Sequence, residues 1–257
     1  MIILLTNDDG IHAEGIHALG DALLQNEDNR IFIAAPDRER SATGHAITMH
    51  RPLRAETVKF LHNNSLKGWS INGTPADCVK LAIEYLLPQK PDLVISGINH
   101  GANLGTDVLY SGTVSAAIEA TILGIPAIAV SLTAYENPDF RFSANFMLRL
   151  LKVLEGQDLP EKTLLNINVP GVVRREIAGV AITYLGLRRY RNAFQKRIDP
   201  RGRSYFWMAG ELDDTEDEEE GSDGYAISRC NISITPVHFD LTNHMLIEQL
   251  KKIDWEI

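Results

Sequence analysis

Ile2-Ile3-Leu4-Leu5-Thr6-Asn7-Asp8-Asp9-Gly10 opens on an unbroken aliphatic run and turns polar and acidic at once. A run this short with no alternation suits a strand buried on both faces, because a strand with one wet face would read apolar-polar. The texture recurs at Ile31–Ala35, Leu93–Ser96 and Ala127–Leu132, with helical periodicity between them at Gly15–Leu24, Pro75–Leu87 and Val114–Leu123. Strands alternating with helices predict an α/β fold: a mostly parallel sheet with helices on both faces. The helix from Pro75 has the clearest ends. Thr74 suits the N-cap, Pro75 the first helical position, Asp77 the dipole, and Pro88 blocks continuation.

A longer amphipathic segment follows from Asn137, carrying Phe142, Met147, Leu148, Leu151 and Leu154, and then come strand-like Leu164–Val169 and Val180–Tyr184. Beyond Arg188 the texture changes to aromatic Tyr205-Phe206-Trp207-Met208, an acidic stretch Asp213–Glu220, strand-like Ile232–Thr235 and a terminal helix at Met245–Lys251. The expected division is a catalytic core over residues 1–187 and an extension over 188–257. The acidic stretch reads as a solvated loop.

The chain has 257 residues, 44% hydrophobic and 23% charged, enough to bury a core without staples. Its net charge of −9 disfavours general attraction to a nucleic-acid duplex or an anionic membrane. The first residues lack the texture of a leader and no run approaches spanning length, so the expected location is cytoplasmic. Cys78 and Cys230 are the only cysteines, and Glu84 and Pro236 stand where a cysteine-dependent phosphatase would place its Arg. Both read as packing residues in a reducing compartment.

In open parallel sheets ligands bind beyond the carboxyl ends of the strands, so the residues just past each apolar run carry the chemistry. The exits are Thr6-Asn7-Asp8-Asp9-Gly10, Pro36-Asp37-Arg38-Glu39-Arg40-Ser41, Gly97-Ile98-Asn99-His100-Gly101 and Tyr110-Ser111-Gly112-Thr113. Two adjacent carboxylates repel unless a cation relieves them, and a hard divalent ion does so; alternatively, Asp8 caps the next helix while Asp9-Gly10 makes a turn. Ser111-Gly112-Thr113 opens a helix, either as an oxyanion cradle or as a plain N-cap. Ser41 is a turn residue or a ligand contact, and His100 an exposed loop histidine or a catalytic group. Gly97, Gly101 and Gly105 match neither a dinucleotide fingerprint nor a P-loop, and the eight scattered histidines make no zinc motif.

Taken in order, Leu4–Gly10, Ala35–Ser41, Asn72-Gly73-Thr74-Pro75-Ala76-Asp77-Cys78-Val79, Ser96–Gly105, Tyr110–Val114, Asn168-Val169-Pro170, Asp199-Pro200-Arg201-Gly202 and Ser233–Pro236 resemble the SurE family of survival-protein nucleotidases. The resemblance implies a Rossmann-like three-layer core with a C-terminal extension exchanged between subunits, in a homodimer or homotetramer. It implies hydrolysis of nucleoside 5′- and 3′-monophosphates, extending in some members to short polyphosphate, with one divalent cation per subunit, Mg or Mn. The family's metal ligands fall on Asp8, Asp9, Ser41 and Asn99.

The expected mechanism is metal-assisted hydrolysis, with Asp8, Asp9 and Asn99 catalytic, and with Ser41, Asn99, Ser111, Gly112 and Thr113 holding phosphate. The nucleophile is a water that the metal or an aspartate orients, with Asp8 the base; an aspartyl-phosphate is the alternative. A non-catalytic nucleotide sensor would use the same residues without turnover. A nicotinamide oxidoreductase would need glycines where Asp8 and Asp9 stand.

Overall fold

The computed structural model describes residues 1–60, 63, 65–134, 136–157, 160–212 and 219–255. The chain runs through β1 (Ile2–Thr6), α1 (Glu14–Leu23), β2 (Arg30–Pro36), β3 (Ala55–Lys59), β4 (Lys67–Ile71), α2 (Pro75–Leu81), β5 (Leu93–His100) and α3 (Gly112–Ile122). It continues through β6 (Ala127–Leu132), α4 (Phe140–Leu154), β7 (Thr163–Val169), β8 (Gly179–Ile182), β9 (Tyr190–Arg191), β10 (Phe194–Ile198), β11 (Ser204–Met208) and β12 (Glu211–Leu212). Last come α5 (Asp223–Ser228), β13 (Asn231–His238) and α6 (His244–Leu250).

A nine-stranded sheet has the order β3-β4-β2-β1-β5-β6-β7-β13-β8. From β4 through β7 every neighbouring pair is parallel, and the antiparallel pairs are β3 with β4 and β13 with β7. The mostly parallel α/β architecture expected from the sequence is present. Strand β1 explains why its residues are unbroken aliphatics. Ile3 and Leu5 join the layer built by α1 and α4, while Ile2 and Leu4 join the opposite layer with α2 and α3. Both faces of the strand are therefore dry, and a polar residue at any of these positions would be buried without a partner.

Helix α2 has the N-terminus its sequence predicts, strengthened by a full capping box: Thr74 accepts the Asp77 backbone N–H while Asp77 accepts that of Thr74. Its α-helical hydrogen bonding ends at Leu81, and a wider turn over Ala82–Leu86 precedes Pro88. Strands β3 and β4 have no counterpart in the apolar-run reading. β3 is largely exposed, and β4 carries Lys67, Gly68 and Ser70, so neither presents an aliphatic run.

The expectation that everything beyond Arg188 lies outside the core requires correction. Strand β13, expected within the extension, lies between β7 and β8, with Ile232 and Ile234 packed into the α1/α4 layer. Its neighbour β7 is distant in sequence, and local periodicity carries no information about that pairing. What does stand apart is an arm that pairs β9 with β12 and β10 with β11, the latter pair exposed along both strands. Helix α6 likewise buries no residue. The arm's two ends are pinned together: the Tyr184 amide donates to Gly221 O (3.2 Å) and the Asp223 amide to Tyr184 O (2.9 Å). The Asp223 carboxylate, 1% exposed, accepts the amides of Gly186 (2.9 Å) and Gly105 (2.8 Å). Residues 213–218 of the expected acidic loop lie outside the described part of the chain. Among the described residues no helix is long and apolar enough to cross a membrane.

Candidate active site

The turn after β1 is closed by Asn7, whose side chain accepts the Gly10 amide (3.2 Å) and donates to Gly10 O (2.9 Å). Helix α1 starts from Ala13 without a side-chain cap. The alternative role for Asp8 as a helix cap is thus unfilled, and its carboxylate goes elsewhere. Asp8 is 5% exposed and Oδ1 accepts the Thr113 hydroxyl at 2.5 Å. Burial pushes its carboxyl up to about 6 against the Thr113 hydrogen bond, and the neighbouring Asp9 charge adds to the rise.

Asp9 accepts the His100 backbone N–H on Oδ2 at 3.1 Å, which joins the first and third strand exits. Its carboxyl is also raised, chiefly by burial, with the His100 amide opposing and Glu39 repelling. Strand β5 runs past its expected end at Ser96 to His100, with a register shift between Ser96 and Asn99. Asn99 and His100 therefore sit on a strand end and not in a loop. Gly97 makes the shift feasible: its φ is +139°, and a Cβ there would stand 2.2 Å from Val130 O. The Asn99 amide nitrogen donates to Gly101 O (2.9 Å), so Oδ1 is the end of that side chain left as an acceptor. The exposed His100 ring stands edge-on to Phe140, centroids 6.5 Å apart.

The second exit reaches the first through the Arg40 amide, which donates to Asp8 O at 2.7 Å. Ser41 follows at the exposed edge of this cluster, and its hydroxyl donates to Glu39 Oε1 (2.7 Å) and not to the aspartates. The loop is anchored further on, where Gly44 N–H donates to Tyr110 O (3.0 Å) and Thr48 donates to both oxygens of Asp77 (2.9 and 2.6 Å). His45 and Lys80 flank the buried Glu119 at 2.8 and 2.9 Å. Those contacts, His45 foremost, hold the Glu119 carboxyl below its ordinary value.

At the fourth exit Ser111 is the N-cap of α3, its Oγ accepting the Val114 amide at 3.0 Å. A Cβ at Gly112 would lie 2.8 Å from both Cβ and Oδ2 of Asp8, so the helix start and the carboxylate touch. Among the described residues the Gly112 amide meets no acceptor. The sequence reading missed two of these contacts. Glu39 lies inside the second exit and its charge was legible; the Thr113 bond to Asp8 spans strand β1 and helix α3 and had no local signal.

Among the described residues no three His, Cys, Asp or Glu side chains group as a metal cage. The donors available are two neighbouring carboxylates, both raised by burial, and the neutral Asn99 oxygen. All are hard oxygen donors, the set that suits magnesium or manganese better than zinc. A surface cleft lined by Leu24, Arg30, Phe32 and Lys67 lies where β2 and β4 begin, at the other edge of the sheet, away from these groups.

The family described as Survival protein SurE matches residues 3–192. A protein of Pelotomaculum thermopropionicum named 5′-nucleotidase SurE is 59% identical over 255 residues, covering 98% of this chain and 95% of that protein. A protein of Gloeobacter violaceus bearing the same name is 53% identical over 256 residues, covering 100% and 97%. The crystal structure of the SurE protein from Aquifex aeolicus superposes with a TM-score of 0.84 at 40% identity, over 98% of each chain.

Proposed function

This chain belongs to the SurE family, and on that premise we propose that it is a divalent-metal-dependent phosphomonoesterase hydrolysing nucleoside monophosphates to nucleoside and phosphate. The observation that carries the reading is the buried Asp8 carboxylate, lodged between Asp9 and the N-terminus of α3, with Asn99 reached through the His100 contact. Relatives sharing more than half of their residues with this chain are named 5′-nucleotidase, which supports the same activity here.

Asp8, Asp9 and Asn99 would hold the ion, with Ser41 able to join through the lone pairs of its Oγ, whose proton goes to Glu39. When bound, a hard dication supplies charge to offset that building on the transferring phosphoryl group. The Gly112 amide and the Ser111 O–H would be the donors left for the remaining phosphate oxygens; Ser111 can donate because its Oγ is only an acceptor to Val114. Water attacks phosphorus, giving one proton to the Asp8 carboxylate; the ester P–O bond breaks, and that proton is passed on to the departing nucleoside oxygen, which leaves as the hydroxyl. Asp8 serves as the base in this reading, and no bond to phosphorus is required of it.

The test is phosphate release from 5′-AMP, 3′-AMP and a short polyphosphate, each with magnesium, manganese or EDTA. The expected result is metal-dependent release from 5′-AMP, with the other substrates fixing the breadth of the activity. Tight nucleotide binding without release would make the protein a sensor and overturn the proposal.

We also propose that the arm and α6 mediate assembly as a homodimer or a dimer of dimers, with subunit exchange. Phe206 and Trp207 are about 60% exposed, and Met245 is 79% exposed on a helix that buries nothing. Apolar surface of this kind is normally covered by a partner.

A further inference from the structure

Thr113 is fully buried at the second position of α3, and its hydroxyl donates to Asp8 Oδ1. A threonine hydroxyl has a single proton. Donated to a carboxylate, that proton is not available to a phosphate oxygen. The neighbouring groups differ. The Ser111 hydroxyl accepts from Val114 and keeps its proton, and the Gly112 amide has no acceptor among the described residues. The first turn of α3 therefore divides its polar groups between two tasks, with Gly112 and Ser111 open to an incoming anion and Thr113 committed to the aspartate.

The contact also fixes geometry. Asp8 leaves β1 with its side chain against Gly112 Cα, where no Cβ fits, so the carboxylate can shift little toward the helix. The hydroxyl bond then sets the rotation of the carboxyl group by engaging Oδ1, while Oδ2 lies against Gly112 and accepts no side-chain donor among the described residues. We infer that Thr113 is a positioning residue for the metal centre: its side chain orients Asp8 toward the cation and makes no contact with the substrate's phosphate. The inference rests on the reading of Asp8 as a metal ligand.

Two variants separate this role from a phosphate contact and from plain packing. Thr113→Val keeps the shape and removes the hydroxyl; Thr113→Ser keeps the hydroxyl and removes the methyl. Titration calorimetry with manganese alone should show roughly a 10- to 100-fold loss of affinity in Thr113→Val, the usual range for an outer partner of a metal ligand. Thr113→Ser should stay close to wild type. Inhibition by inorganic phosphate, measured at saturating manganese, should be unchanged in both. Weakened phosphate inhibition in Thr113→Val with normal manganese affinity would overturn the inference and return the side chain to the phosphate site. Equal losses in both variants would reduce it to packing, and also overturn it. If Thr113→Val does not fold, Thr113→Cys, with its weak S–H donor, carries the same comparison. Wild-type protein that binds no manganese would defeat the metal reading itself; wild-type binding with an unaffected Thr113→Val defeats this inference alone.

Discussion

Replacing Asp8 by Asn should make the metal-free protein more stable while disabling it. The side chain is 5% exposed and its carboxyl is raised from 3.8 to about 6, mainly by burial. At about 1.4 kcal/mol per pH unit, keeping it ionised costs the folded state roughly 3 kcal/mol at neutral pH. Because the folded value lies above the unfolded one, that cost is fully present above about 6, shrinks as pH falls through the window, and is gone below about 3.8. Asn has the same size and retains an Oδ1 that accepts the Thr113 hydroxyl, so the substitution removes the charge and little else. In EDTA at pH 7.5, Asp8→Asn should melt roughly 6–12 °C higher than wild type, given about 2–4 °C per kcal/mol for a chain of this size. At pH 5 about half of the free-energy advantage should remain. Saturating manganese should reverse the order, since wild type gains the binding free energy and the variant gains little of it. Calorimetry at the two pH values with EDTA or manganese, alongside phosphate release, reads all of this. A variant no more stable than wild type in EDTA at pH 7.5, or an advantage that persists undiminished on acidification, would refute the reasoning.

Asp9→Asn should cut kcat by roughly 10²-fold or more with the fold intact, and near-normal turnover at saturating magnesium and manganese would remove Asp9 from the site. Asn99→Ala should act in the same direction but more weakly, because a neutral amide oxygen contributes less to holding the ion; an effect equal to that of Asp9→Asn would count against that ranking. Gly112→Val must displace Asp8 as well as crowd the anion, so manganese affinity and phosphate inhibition should both fall, by up to roughly 10²-fold. Unchanged manganese binding in folded Gly112→Val would separate the two sites. Light scattering should find a dimer or tetramer at micromolar concentration, and a fully active monomer would defeat the assembly proposal. Truncation before Gly224 is a poor probe of assembly because it removes β13, a strand of the main sheet, and should unfold the protein; deletion of α6, which buries nothing, is the selective test.

The candidate site was legible to the extent that its polar residues sit where apolar runs end. A strand buried on both faces shows its boundaries in composition, and Asp8, Asp9 and Asn99 lie at or just beyond such boundaries, while Gly112 and Thr113 open helix α3. Strands β3 and β4 escaped because a part-wet edge tolerates Glu56, Lys59 and Lys67. The placement of β13 escaped for a different reason. Its own pattern reads as a strand, but its partners β7 and β8 are chosen by tertiary fit. The roles of Thr113 and Ser41 were likewise invisible. Which acceptor a hydroxyl chooses depends on what folding brings beside it, here Asp8 for one and Glu39 for the other.

The neck formed by Tyr184, Gly221 and Asp223 makes the arm an insertion between two adjoining strands of the sheet, β8 and β13. An excursion whose ends already meet can change length cheaply, since doubling a flexible loop adds only about 0.6 kcal/mol of closure entropy. Evolution can therefore rewrite the segment without renegotiating the sheet, as long as the pinned ends survive. For an engineer, the same junction is a ready seam at which a foreign domain could be spliced in, provided that the Asp223 contacts to Gly105 and Gly186 are kept.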